Sequence, residues 1–223
     1  MLKMSFIGDA YTSINNIYHV ILLIIRINNP HAVRHEMAIN EFKLRKINSL
    51  LDLGCRNGSF LFNCACNLSK IPLYGIDIDE TNIQIAKTTK VNDYDNLDIN
   101  FLTADILKNI TIKDFEAVSL IEVIEHLTFS ELEILFDNIF ENINPKFLLI
   151  TTPNRDYNAY LELNLNSFRH KDHKFEMSKD EFVIACDTLS VKFNCVVEVK
   201  PIGIIKENGA SISQMAVFER KNK

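Results

Sequence analysis

Leu50-Leu51-Asp52-Leu53-Gly54-Cys55-Arg56-Asn57-Gly58-Ser59-Phe60 is the stretch on which the reading of this chain turns. An apolar run enclosing one acid ends at two glycines, and an amphipathic segment follows. Apolar residues bounded by such a turn predict a buried strand running into a helix. The glycines permit a tight turn and close approach of a ligand to the backbone, at the carboxyl end of the strand where open α/β sheets bind ligands. A nucleotide-like cofactor is the expectation.

Outward from this turn, short apolar runs alternate with amphipathic helices, the signature of a parallel sheet with crossover helices. Strands are expected near 48–53, 72–77, 98–103, 116–121 and 146–151, and helices near 58–69, 79–90, 127–143 and 178–193. Two late strands, near 195–201 and 213–219, complete the sheet. The longest loop, 152–177, has a length that compact domains reserve for function.

The second strand ends Tyr74-Gly75-Ile76-Asp77, nineteen residues after Gly58, where an acid can accept both ribose hydroxyls of an adenosine. The third ends at Thr103-Ala104-Asp105, within reach of an adenine amino group. A dinucleotide oxidoreductase would carry Gly-x-Gly-x-x-Gly, and this turn lacks that spacing. An acid ahead of the first glycine instead suits the methionine ammonium of S-adenosylmethionine. Asp52, Gly54, Ser59, Asp77 and Asp105 are therefore the candidate cofactor residues.

On these motifs the chain, from about Ile47 to Phe218, resembles the Rossmann-like S-adenosylmethionine-dependent methyltransferases. The implied architecture is a seven-stranded, mostly parallel sheet with helices on both faces. One residue departs from the pattern: Arg56 stands where members carry a second glycine. It is expected to avoid left-handed geometry or to point to solvent.

Composition bounds the rest. The 223 residues suit one domain with a sizeable core, and 47% hydrophobic with 24% charged residues excludes a disordered chain. A net charge of -5 gives no global basic field, so nucleic acid would have to meet a local patch. Five cysteines without repeated Cys-x-x-Cys spacing indicate reduced thiols and a cytoplasmic location, with Cys64 and Cys66 read as buried. The apolar run Ile17 to Ile25 is too short to span a bilayer, and Arg26 ends it without a small-residue cleavage site. It reads as a buried or docking helix. A second helix is expected over His31 to Arg45, with Val33, Met37, Ile39 and Phe42 on one face. Residues 1–46 thus form a helical extension that could cover the site, and 47–223 the catalytic domain.

The fourth strand leads into Leu120-Ile121-Glu122-Val123-Ile124-Glu125-His126-Leu127. A helical turn after Ile121 would put Glu122, Glu125 and His126 on one face. Two neighbouring carboxylates need a proton or a cation between them, and the imidazole favours a metal. The alternative is a solvated helix start with acids near the positive end of the dipole. Beyond the fifth strand, Ser167-Phe168-Arg169-His170-Lys171-Asp172-His173-Lys174-Phe175-Glu176 brings histidines and basic residues opposite that cluster.

Together with the Thr152-Pro153-Asn154 turn, these segments resemble the Hen family of small-RNA 3'-terminal 2'-O-methyltransferases. The stretch Gly209 to Phe218 fits that family's closing strand. The resemblance implies a divalent metal, Mg2+ or Mn2+, held by Glu122, Glu125, His126 and His173, with His173 preferred over His170 because Asp172-His173 pairs with Phe175-Glu176. Met177 replaces the family's usual tryptophan. A metal on oxygen and imidazole donors could chelate the vicinal hydroxyls of a terminal ribose. Glu122, Glu125 or His126 would then accept the proton during methyl transfer, His126 being preferred. Arg169, Lys171 and Lys174 would hold RNA phosphates without sequence readout. The implied partners are the 3' end of a small RNA and an Argonaute/Piwi-type or RNA-repair protein delivering it, with no membrane and a monomeric enzyme. Two other readings remain open here: a small-molecule catechol- or quinone-type O-methyltransferase, and a catalytically dead subunit, for which Arg56 speaks.

Overall fold

Leu50–Leu53 forms strand β1, and all four of its side chains are buried, Asp52 among them. That continuous burial belongs to a central parallel strand covered on both faces. The structure, a computed structural model, describes residues 29–108, 112, 114–161, 163 and 167–221. The apolar run at 17–25 therefore lies outside the described residues.

Helix α1, Pro30–Arg45, starts where Asn29 caps the amides of His31 and Ala32 and Pro30 occupies the first turn. After β1 come α2 (Ser59–Asn67), β2 (Leu73–Asp77), α3 (Glu80–Asp93), β3 (Ile99–Thr103) and β4 (Ala117–Ile121). Then follow α4 (Phe129–Asp137), β5 (Phe147–Pro153), α5 (Lys179–Lys192), β6 (Cys195–Ile202) and β7 (Ser213–Arg220). Thr128 with Glu131, and Ser178 with Glu181, form capping boxes that start α4 and α5.

The seven strands are ordered β3-β2-β1-β4-β5-β7-β6, with β7 antiparallel to both neighbours. This is the expected seven-stranded, mostly parallel α/β sheet. Side chains alternate across it, so Leu51, Val118 and Leu148 pack with α4 and α5, whereas Leu50, Ala117 and Leu149 pack with α1 and α2. In α1, Ile39 and Phe42 are buried as expected, with Val33 and Met37 half-buried beside them. The strand order reverses between β1 and β4, which opens a crevice at their carboxyl ends.

Two expectations need correction. The segment 127–143 is not one α-helix: α4 stops at Asp137 and the chain continues as a wider π turn, Asn138–Ile143. The long loop is not free of structure, since Arg155–Leu161 forms a 3-10 helix. Among the described residues no helix is long and apolar enough to cross a membrane.

Candidate functional site

A cavity of about 970 Å³ occupies the crevice, and Asp52, Gly54, Ser59, Asp77 and Asp105 all line it. Gly54 and Gly58 have φ of 78° and 77°, and a Cβ on Gly54 would come within 2.7 Å of Val123. The backbone cradle thus depends on the missing side chains. Arg56 also takes left-handed geometry, φ 49°, against the expectation that it would avoid it; its side chain is exposed, as the other branch of that expectation had it. The turn tolerates it because the Arg56 amide donates to Asp77 Oδ2 at 2.7 Å, tying the turn to β2. The Asp79 amide donates to Asp77 Oδ1 at 2.9 Å, so each carboxylate oxygen keeps a lone pair for a ligand.

Asp52 accepts a bond from Ser119 Oγ at 2.6 Å on β4. Complete burial, reinforced by the nearby Asp77, pushes its carboxyl up to about 7 despite that bond. A buried acid so poised fits an incoming ammonium. Asp105 caps the amide of Leu107 with one oxygen and leaves the other to solvent and Lys108.

Across the cavity, donor atoms of Glu125, His126 and His173 lie within 4.8 Å of one another. Glu125 is 1% exposed, which removes the solvated-helix-start reading. Its carboxylate accepts from Thr152 Oγ1 at 3.0 Å, and burial together with Glu122 raises its pKa well above the usual range. His126 is exposed, and its pKa is lowered by partial burial and by His173. His173 donates from Nδ1 to Glu176 Oε1 at 2.6 Å, which leaves Nε2 as its free nitrogen. Oxygen and imidazole donors without thiolate suit Mg2+ or Mn2+, so the residues present fit the implied ion.

Glu122 does not join the cluster through a helical turn. Its φ is 55°, its amide is bound by Thr151, and only Ile124–His126 coils, as a 3-10 turn. The Glu122 carboxylate faces Arg34 of α1 at 2.8 Å, while its Oε1 is buried without a partner. Burial raises its pKa, and Arg34 opposes that shift.

Arg169 is tied into the protein more closely than its charge suggests. Its Nε donates to Asn158 Oδ1 at 2.6 Å, and its two terminal nitrogens donate to the carbonyls of Asn154 and Ile212. Three of its five N–H donors are thus taken inside the protein, which makes Arg169 a strut of the site. Lys171 and Lys174 are exposed, as is His170.

Sequence reasoning missed the network beneath His173. Glu176 is fully buried and accepts from His173, from Asn158 Nδ2 at 2.6 Å and from the Arg169 amide at 2.7 Å. Burial alone would raise its pKa, but these bonds outweigh it and hold the carboxylate below the usual range. Such an outer carboxylate fixes a histidine's tautomer and ring orientation. It was visible only as the last letter of a motif. Arg34 was also missed, although His31, Arg34 and His35 recur at helical spacing and all line the cavity. Among the cysteines, Cys64 is buried but Cys66 is exposed, and none is bridged.

The fold and its strand-end acids define a Rossmann-like methyltransferase of the S-adenosylmethionine type: residues 26–183 match the methyltransferase domain family, and the chain belongs to it. Its relatives there are Hen-type small RNA 2'-O-methyltransferases. It is 31% identical over 210 residues to the small RNA 2'-O-methyltransferase of Tetrahymena thermophila, covering 84% of this chain and 49% of that protein. The Drosophila melanogaster counterpart is 32% identical over 196 residues, covering 79% and 50%. The crystal structure of the methyltransferase domain of bacterial CtHen1-C superposes with a TM-score of 0.77 at 26% identity, covering 87% of this chain and 100% of that one. The chain spans about half the length of the curated relatives it matches.

Proposed function

We propose that this chain transfers a methyl group from S-adenosylmethionine to the 2'-hydroxyl of the 3'-terminal nucleotide of a small RNA, and so protects that end. The observation that carries the reading is one cavity lined both by the strand-end acids and by Glu125, His126 and His173. The similarity to small RNA 2'-O-methyltransferases supports the substrate class.

In this reading Asp52 takes the cofactor's ammonium, Asp77 its ribose hydroxyls and Asp105 its adenine, with Gly54 and Ser59 at the turn between. Glu125, His126 and His173 would hold Mg2+ or Mn2+, with Glu122 as fourth donor once it turns from Arg34. The ion supplies Lewis acidity that lowers a hydroxyl pKa and favours an end bearing both ribose hydroxyls. The 2'-oxygen attacks the methyl carbon as the carbon–sulfur bond breaks, and the hydroxyl proton passes to a carboxylate oxygen of Glu122 or Glu125, or to His126 when its ring is not holding the ion. Glu176 keeps His173 oriented throughout. Lys171 and Lys174 would meet the RNA backbone. We also propose that residues 1–46 form an extension to a 47–223 catalytic unit, that an Argonaute/Piwi-type or RNA-repair protein delivers the RNA, and that the enzyme is cytoplasmic, which fits its free thiols.

The test is labelling of short RNAs from radiolabelled S-adenosylmethionine, with Mn2+ or chelator, comparing 3'-terminal ribose, 2'-deoxyribose and 3'-phosphate ends. Labelling confined to the ribose end and to the metal-containing reactions is the expected outcome. Cofactor binding with no labelled RNA would move the substrate to a catechol or quinone.

A further inference from the structure

Phe129 opens α4 with 65% of its surface in solvent, yet it is not a loose side chain. Its inner face stacks on Phe175, with ring centroids 5.1 Å apart and planes 17° apart, and Phe175 is itself buried. One face of the Phe129 ring is therefore fixed and the other presented.

Its place in the chain matters as much. Phe129 follows the donor His126 by three residues, and Phe175 follows the donor His173 by two. Leu127, between His126 and Phe129, lines the cavity. The Lys174 amide donates to the carbonyl of Glu125 at 2.7 Å, which pins this loop against the donor cluster while the Lys174 side chain stays exposed. Neither Lys171 nor Lys174 is ion-paired among the described residues. Of the acids beside them, Glu131 is taken up by the Thr128 cap through contacts of 2.7 and 2.8 Å, and Asp172 lies 3.4 Å from His170. A rigid aromatic face and two free cations thus sit at the rim of the cavity.

We propose that Phe129 is the stacking platform for one base near the 3' end of a single-stranded RNA, with Lys171 and Lys174 on the adjoining phosphates. This rests on the RNA reading above and names the surface that carries it. Size decides against a protein partner: a stable interface buries about 800 Å² on each side, far more than one ring offers. One ring matches one base, and stacking tolerates any sequence because every base has a π face.

The chain contains no tryptophan, so Phe129→Trp places a single tryptophan at the platform, which can be excited apart from the six tyrosines. Titrating this variant of the 223-residue chain with a short single-stranded RNA should give saturable quenching, lost when one of the last few nucleotides is made abasic. Phe129→Ala should weaken RNA binding about tenfold or more, Phe129→Tyr should restore it, and neither should change S-adenosylmethionine affinity. RNA binding without quenching, or unchanged affinity in Phe129→Ala, would overturn the platform and leave the RNA reading intact. Loss of self-association in Phe129→Ala with RNA affinity unchanged would overturn it likewise, in favour of a protein contact. Failure of the wild-type chain to bind any RNA would overturn both.

Discussion

The two walls of the cavity are built in different ways. The cofactor wall is local: Asp52, Gly54 and Ser59 fall within eight consecutive residues, and Asp77 joins them through the Arg56 amide on the neighbouring strand. The donor wall is assembled from distant segments. Glu125 and His126 follow β4, His173 comes from a loop nearly fifty residues later, and the loop is held by Glu176, Asn158 and Arg169. Strand-turn-helix geometry fixes the first wall, whereas buried polar bonds fix the second. A network of that kind rigidifies a site when every member is satisfied, and loses its geometry when one is removed.

The sharpest way to break the comparison is to remove a donor. His173→Ala should lower methyl transfer by more than about 100-fold, because in the proposed role it removes a nitrogen that holds the ion and not merely its support. Titration calorimetry with S-adenosylmethionine should show nearly unchanged cofactor affinity. Equal loss of transfer and cofactor binding would mean that the walls are not separable and that the donor assignment is wrong.

A smaller effect is expected one layer further out. Glu176→Gln keeps the shape but removes the charge that His173 Nδ1 and the Arg169 amide approach. Outer partners of this kind are worth about 10- to 100-fold in metal affinity. Mn2+ titration should show that loss, with cofactor affinity again unmoved. Metal affinity within about twofold of wild type would show that the loop is held by Arg169 and backbone bonds alone.

The same contrast explains what could be read from the sequence. The strands and most helices were legible to within a few residues, because period and turn chemistry are local properties. So were the acids at the ends of β1, β2 and β3, since strand-end position alone aims them at the crevice. The helical turn expected at Glu122 does not form, because its amide is held by Thr151 of β5, and its carboxylate meets Arg34, which the chain supplies 88 residues earlier. Arg169 was read from charge type alone as a phosphate holder, and its bonds to the carbonyls of Asn154 and Ile212 and the Asn158 side-chain oxygen were not legible. No window of sequence displays three acceptors converging from two different loops.

A third prediction, read in melting temperature, tests whether the cofactor wall is truly preset. In the folded chain burial holds the Asp52 carboxyl near 7, against 3.8 for an unburied aspartate. Between those values the folded state keeps a proton that the unfolded state releases. The contribution of Asp52 to stability is therefore present below pH 4 and is lost as pH rises through 7, by at most about 4 kcal/mol. Asp52→Asn cannot ionise and removes that slope. Glu125 tilts the wild-type curve the same way, while His35, lowered to about 4 chiefly by burial, costs stability as pH falls below 6.5. Both remain in Asp52→Asn, so the difference between the two melting curves at pH 5 and pH 8 isolates Asp52. The cofactor should act in the opposite sense. In the proposed pairing its ammonium meets the ionised carboxylate, so S-adenosylmethionine should raise the wild-type melting temperature more at pH 8 than at pH 5, and should raise that of Asp52→Asn little at either. Equal protection of both chains at pH 8 would mean that the ammonium is held elsewhere and that the buried acid serves only Ser119.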